Sequence, residues 1–276
     1  MSHNRQKKIA VINDISGFGR CSITVSLPII SHMKLQCCPV PTSIFSNHTG
    51  YDSYFFDDYT DKMQEYIDQW KKLNLYFEGI TSGFLGSIRQ IQVVEKFIHD
   101  FAGKDTKIIL DPVMGEDGKP YITYNNEMCE EMKKLVGYAD IITPNLTEGC
   151  ILTGTPYKKE NWSREELFTM AEKLTKMGSK KVAISGIHMG TYIGNVVYED
   201  GKEPKILKVK RVGKERAGTG DIYAAILAAD CVNGVPFCDS VGKASSFIKE
   251  CIGLTEKYHI PQEDGVCFEE VLYRLK

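Results

Sequence analysis

Gly218, Thr219, Gly220 and Asp221 open an alanine-rich apolar segment that reads as a helix over residues 222–232. Two glycines let the backbone turn tightly into that helix, so several N–H groups at its start point outward without partners. Those donors, with the positive end of the helix dipole, make a place for anionic oxygens such as those of phosphate. Asp221, in the first turn, has two readings. It is a carboxylate that caps the helix and compensates its dipole, or it is a base beside an anion hole. In the second reading it takes the proton of a hydroxyl that attacks a terminal phosphate, which also requires a metal and donors for the spreading charge.

Oxygen donors for such a metal occur twice upstream. One is Asp111, in Asp-Pro-Val-Met-Gly; the other is the pair Asn145 and Glu148, in Thr-Pro-Asn-Leu-Thr-Glu. Magnesium takes a few oxygen ligands and keeps several waters, so sparse carboxylates at strand ends suit it. Pro112 and Pro144 disfavour helical backbone just before them and bias the chain's exit. An Asp-Pro step after a strand is ordinarily just a turn; two such segments ahead of a glycine-rich anion hole form a more specific set. A dinucleotide fingerprint is excluded. Gly17-x-Gly19-x-x-Ser22 lacks the third glycine, and no acidic residue lies between Asp14 and Asp52 to hold a ribose. No GxxxxGK[ST] loop exists, so a nucleotide must be held another way.

These segments need a scaffold that brings them together. Residues 8–12, Gly79–Ser82, Lys107–Leu110, 139–143 and 181–185 are short apolar runs that read as strands. Helical periods fall between them, with apolar stripes from Tyr59 to Leu73 and from Ile88 to Phe101. A third helix follows Asn161, with Ser163 and Glu166 as a capping box and Gly178 as its stop. Residues 192–198 and 205–212 flank Asp-Gly and read as a hairpin. A helix over residues 240–258 ends the series. Strands alternating with helices predict a three-layer α/β/α fold with a mostly parallel sheet covered on both faces. Ligands in such sheets bind beyond the carboxyl ends of the strands. The segments 13–19, 82–87, 111–115, 143–148 and 185–190 should therefore gather along one edge. No linker or repeat interrupts residues 1–276, which predicts one domain.

The 276 residues carry 34 basic and 36 acidic side chains, a formal net charge of −2. That balance argues against nucleic acid as a partner. A small basic patch remains at Lys208, Lys210, Arg211, Lys214 and Arg216; Lys214 and Arg216 read as solvated loop charges, with screening of nucleotide charge as the alternative. Nine cysteines without CxxC spacing read as reduced, packed thiols, Cys21, Cys37 and Cys38 among them. The apolar run near the first residues is too short for a signal core and no later stretch is long enough to span a membrane, so a cytoplasmic protein is expected.

Taken together the motifs resemble those of pyridoxal kinases in the ribokinase superfamily. Ile-Phe-Ser-Asn-His-Thr-Gly-Tyr at 44–51, Ser-Gly-Phe-Leu-Gly-Ser at 82–87, Asp-Pro-Val-Met-Gly at 111–115, Pro-Asn-Leu-Thr-Glu at 144–148 and Gly-Thr-Gly-Asp at 218–221 occur in that family's order. The resemblance covers nearly the whole chain, and the 44–51 segment is its most specific part. It implies a ribokinase-like fold and ATP-dependent phosphorylation of the 5′-hydroxymethyl of pyridoxal, pyridoxine or pyridoxamine. Asp221 would be the base and the Gly218, Thr219 and Gly220 amides the anion hole. Asp111 and Glu148, with Asn145 nearby, would organise Mg²⁺ and the ATP phosphates, and Ser185 would contact nucleotide phosphate. Thr49 and Gly50, on a flap, would contact the B6 ring and Phe84 would pack on it. A homodimer and a monovalent cation such as K⁺ are further implications. Two positions depart from the family pattern. Its ring-binding serine aligns with Asp14, or with Asn13 one residue away, and Phe84 replaces a frequent tyrosine. An ionised Asp14 would favour a protonated ring nitrogen. The Asp-x-Ser-Gly-x-Gly run at 14–19 also resembles hydroxymethylpyrimidine kinases, the alternative substrate class. A binding protein that keeps the fold without catalysis is the alternative of a different kind. His48 and Arg20 read as structural or site-lining.

Overall fold

Apolar runs with no polar side make the centre of this protein, because both faces of its sheet are covered. The computed structural model describes residues 6–276. The chain runs β1 (Lys8–Phe18), α1 (Ser22–His32), β2 (Gln36–Asn47), β3 (Phe56–Asp58) and α2 (Thr60–Lys72). It continues through β4 (Gly79–Ser82), α3 (Ile88–Phe101), β5 (Lys107–Leu110), a small hairpin of β6 (Gly115–Glu116) and β7 (Lys119–Pro120), and α4 (Asn126–Val136). Then come β8 (Ile141–Ile142), α5 (Leu146–Thr153), α6 (Arg164–Thr175) and β9 (Lys181–Met189). β10 (Tyr192–Glu199), β11 (Lys205–Lys210), α7 (Thr219–Asn233), α8 (Phe237–Lys257) and a closing 3₁₀ turn over Glu269–Leu275 complete it.

The main sheet has the order β11-β10-β9-β8-β5-β4-β1-β2-β3. β2, β1, β4, β5, β8 and β9 pair in parallel; β3, β10 and β11 add antiparallel edges. Side chains split by the two-residue period of a strand. Ile9 and Val11, Ile109, Ile141 and Ala183 pack with α1, α7 and α8. Ala10 and Ile12, Ile108 and Leu110, Ile142, and Val182 and Ile184 pack with α2 to α6. The result is three layers and two cores. Each fully buried Ile, Leu or Phe contributes about 1.5–3 kcal/mol.

Three segments differ from the expectation. β1 does not stop at Ile12 but pairs with β2 as far as Phe18↔Asn47, with an irregularity between Asn13 and Ile15. The polar residues 13–18 are thus strand and not loop. β9 likewise continues to Met189, because β10 pairs back along it to Tyr192. α1 has no counterpart among the expected elements: it begins at Ser22 with φ of 59° and contains Pro28.

Candidate active site

Backbone hydrogen bonds stitch the carboxyl ends of the strands into one ledge. Gly83 N–H donates to Ile12 (2.9 Å), Asp111 to Ser82 (3.0 Å), Thr143 to Leu110 (3.1 Å) and Ser185 to Pro144 (3.0 Å). The polar segments expected along one edge do gather there. Ser185 is half-buried on it and bridges in parallel to Asn145.

α7 starts on this ledge. Gly218 is its N-cap in the left-handed region, φ 76°, and no side chain caps the helix. A Cβ at Gly218 would lie 1.9 Å from the carbonyl oxygen of Arg20, so only glycine fits the turn. The first-turn amides are left to bind something else. Asp221, in that turn, accepts a bond from Asn13 Nδ2 (3.1 Å), and the backbone N–H of Ser22, at the start of α1, also lies on it. Asp221 keeps a partial opening to solvent, yet burial pushes its carboxyl up to about 6, against the pull of Ser22 and Asn13 and with a further push from the Asp14 charge.

Asp111 faces the same place. Its Oδ2 sits 3.9 Å from where a Gly220 Cβ would be, and Thr143 Oγ1 donates to its Oδ1 at 3.1 Å. Burial, then the neighbouring Asp221 charge, raises its carboxyl to about 8. Asn13, Gly83, Asp111 and Asp221 line one small cavity of about 10 Å³. A buried carboxylate raised by a neighbouring one invites a cation beside it.

Asn145 and Glu148 are placed differently. Asn145 is the N-cap of α5: its Oδ1 accepts Glu148 N–H (2.9 Å), and Glu148 Oε2 accepts Asn145 N–H (2.7 Å), a reciprocal capping box. Glu148 Oε1 takes Met114 N–H (3.1 Å), and Asn145 Nδ2 donates to Gly115 carbonyl (2.9 Å). Glu148 is buried, which with the Asp111 charge holds its carboxyl well above the usual range. Both its oxygens already serve backbone amides. Among the described residues no cluster of three or more His, Cys, Asp or Glu could enclose a metal. The donor set that does fit is Asp111 with phosphate oxygens and water, the sparse shell that magnesium accepts.

The segment after β1 and the one after β2 meet beyond the ledge. Asp14 is buried, accepts Ser16 Oγ at 2.9 Å and is also bonded by Ser22; burial raises its carboxyl. Asn13, not Asp14, reaches Asp221, because Asn13 continues the alternation of Ile9 and Val11 on the face of β1 that meets α7. Phe84 is half-buried and its N–H is held by Asn13 Oδ1 (2.8 Å). Thr49 and Gly50 are exposed on the flap. His48 Nδ1 accepts Gly50 N–H, so Nε2 carries the hydrogen and donates to Glu263 carbonyl (2.7 Å); Tyr51 donates to Asp264 Oδ1 (2.8 Å). His48 and Tyr51 thus latch the flap to the segment after α8, where Arg20 also donates to Asp264 carbonyl and pairs with Glu269. Arg216 corrects an expectation. Its guanidinium is buried, bonding Ile260 and Pro261 carbonyls and Glu256, while Lys214 stays exposed.

A family model for phosphomethylpyrimidine kinase matches residues 27–266. The chain belongs to that family. Its members here are kinases of the ribokinase-like fold. The family's relatives include a pyridoxal kinase of Arabidopsis thaliana, 29% identical over 68% of this chain and 62% of that one. A hydroxymethylpyrimidine/phosphomethylpyrimidine kinase of Aquifex aeolicus is 30% identical over 65% of this chain and 69% of its own. Among solved structures, a Bacteroides thetaiotaomicron protein described as a phosphomethylpyrimidine kinase is 38% identical. It superposes with a TM-score of 0.96 over 100% of this chain and 96% of that one. A second crystal form of it, with pyridoxal, gives 0.94 at 37% identity, over 98% and 96% of the two chains. Within this kinase, Asn13 is the site residue that sequence reasoning left as a register alternative. The α5 capping box was also legible as Asn-x-x-Glu before an apolar run, a helix-start signal rather than a ligand pair.

Proposed function

We propose that the chain transfers the terminal phosphoryl group of ATP to the 5′-hydroxymethyl of a B6 vitamer. The observation that carries this reading is Asp221 at the uncapped start of α7, across from Asp111. Asp221 takes the hydroxyl proton as the alcohol oxygen bonds to phosphorus and ADP leaves with the bridging oxygen. The Gly218, Thr219 and Gly220 amides face the transferring oxygens, whose negative charge they match. A carboxyl near 6 is deprotonated at neutral pH yet basic enough to accept a proton. Mg²⁺, held by Asp111 and the nucleotide's own oxygens, supplies charge neutralisation when bound. Glu148 and Asn145 act one layer out, fixing the Asp111–Gly115 backbone, and Ser185 lies along the path of the nucleotide.

For the acceptor, Phe84 offers a flat wall, Asp14 a buried partner for a ring nitrogen, and Thr49 and Gly50 a cover. Support for B6 over the pyrimidine comes from the 44–51 segment and from the pyridoxal-containing Bacteroides structure. The second reading, hydroxymethylpyrimidine phosphorylation, is favoured by the family description and the Aquifex relative. We read residues 1–276 as one catalytic domain acting in the cytoplasm as a homodimer, with K⁺ assisting. Free cysteines throughout agree with a reducing compartment, and no described helix is long and apolar enough to cross a membrane.

ADP release measured with pyridoxal, pyridoxine, pyridoxamine and hydroxymethylpyrimidine tests the acceptor. Turnover with the three vitamers is expected; turnover with the pyrimidine alone would refute the B6 assignment. Asp221→Asn should lower turnover on the order of 10²–10⁴-fold with nucleotide binding retained, the range for a positioned base.

A further inference from the structure

We propose that Asn13 is a positioning residue, fixing the Asp221 carboxylate in its working orientation and tying that orientation to the Phe84 wall. This rests on the reading of Asp221 as the base. The two ends of the Asn13 amide are unambiguous. Its oxygen accepts two backbone N–H groups, from Phe84 at 2.8 Å and from Asp14 at 3.0 Å. An amide oxygen so engaged leaves the NH₂ end to point the other way, and there it donates to Asp221 Oδ1 at 3.1 Å. The backbone holds the amide from both sides, so the amide in turn holds the carboxylate.

The chain makes room for this arrangement. Asn13 continues the alternation of Ile9 and Val11 toward α7, just before the β1 pairing with β2 shifts register ahead of Ile15. Gly83 lies directly beneath: a Cβ there would come within 2.5 Å of Asn13 Nδ2. Any larger residue at 83 would displace the amide. Phe84 follows Gly83 in the chain, so the surface that receives the substrate ring and the group that receives its proton share one side chain as their common reference. Misplacing a reacting group by about 1 Å costs on the order of 10²-fold in rate, which is the scale on which Asn13 acts.

Asn13→Asp is the discriminating substitution. It keeps the shape and the oxygen that takes the two N–H groups, and it replaces the donor facing Asp221 with a carboxylate oxygen whose charge opposes that of the base. A fall in kcat on the order of 10²-fold is expected, with KM for vitamer and for ATP within about threefold, the pattern of an interaction realised in the transition state. Loss of kcat in step with a matching loss of ADP affinity and melting temperature would mark a merely structural role and overturn the proposal. The exchanged pair, Asn13→Asp with Asp221→Asn, reverses the direction of the bond and removes the opposed charges, so it should keep the parent's melting temperature while remaining inactive. A cycle separates the two assignments. In an Asp221→Asn background, Asn13→Ala should cost nothing further, because its partner's function is already gone. The same loss in both backgrounds, or kcat of Asn13→Asp within about twofold of the parent, overturns the role of Asn13 alone. Full turnover by Asp221→Asn itself removes the base, and the positioning role with it.

Discussion

α5 and α7 begin on the same ledge of strand ends, and each has an acidic residue three positions or fewer into the helix. At α5 the chain closes the end upon itself: Asn145 and Glu148 satisfy each other's backbone, and Met114 fills the remaining carboxylate oxygen. At α7 a left-handed glycine replaces the capping side chain and the amides stay open. α6 is closed in the same way as α5, by Ser163 and Glu166. Closing a helix start stabilises it by about 0.5–2 kcal/mol. Leaving the start of α7 open gives up that stability and leaves a place where phosphate oxygens can bind. α2 and α8 also start without a side-chain cap and with Asp61 or Asp239 in the first turn, so what sets α7 apart is that its open start lies on the ledge beside Asp111.

The contrast is broken most severely at Gly218. Gly218→Ala should lower turnover on the order of 10²–10³-fold, the scale for losing anion-hole donors, since its methyl meets the Arg20 carbonyl; ADP release measures it. Next in size is the dependence on acidity. With Asp221 near 6 in the free protein, kcat/KM should fall about tenfold per pH unit below that value. At limiting Mg²⁺ the midpoint should move up toward 8, because Asp111 must then lose its proton to bind the metal. A profile indifferent to Mg²⁺ would separate Asp111 from the metal. Asn145→Ala should act mainly on stability, lowering it by about 1 kcal/mol, a melting shift of roughly 2–4 °C, with a smaller loss of rate than at Gly218. An inverse result, a large rate loss with no change in melting, would make α5 a working site like α7.

The smallest effect concerns the protein without ligands. Asp111 binds its proton more tightly folded than unfolded, so its contribution to stability is complete below about 3.8 and is lost as pH rises through about 8. Asp111→Asn should therefore raise the melting temperature at pH 8 and flatten its decline between pH 5 and 8, which thermal melts across that range measure.

Much of the scaffold could be read from the residues alone. β4 and β5 end where expected because apolar runs buried on both faces stop abruptly at polar strand ends, and α6 is announced by its capping box. α1 was not legible. Its start has a serine in the left-handed region and a proline inside, two signals that ordinarily argue against a helix. The same limit touches the site. Asp111, Asp221 and the glycines converge as the motifs require, whereas the choice between Asn13 and Asp14 turns on which face of β1, buried on both sides, meets α7. Arg216 was misread for a related reason: the carbonyls of Ile260 and Pro261 that bury it lie more than forty residues away.

Tyr51 and His48 hold Asp264 and Glu263 across separations of 213 and 215 residues. The rim beside the end of β1 is thus woven from the first fifth of the chain and the last twentieth. Those two bonds fix the turn that carries Thr49 and Gly50 to the segment after α8, so its placement depends on residues near both ends of the sequence.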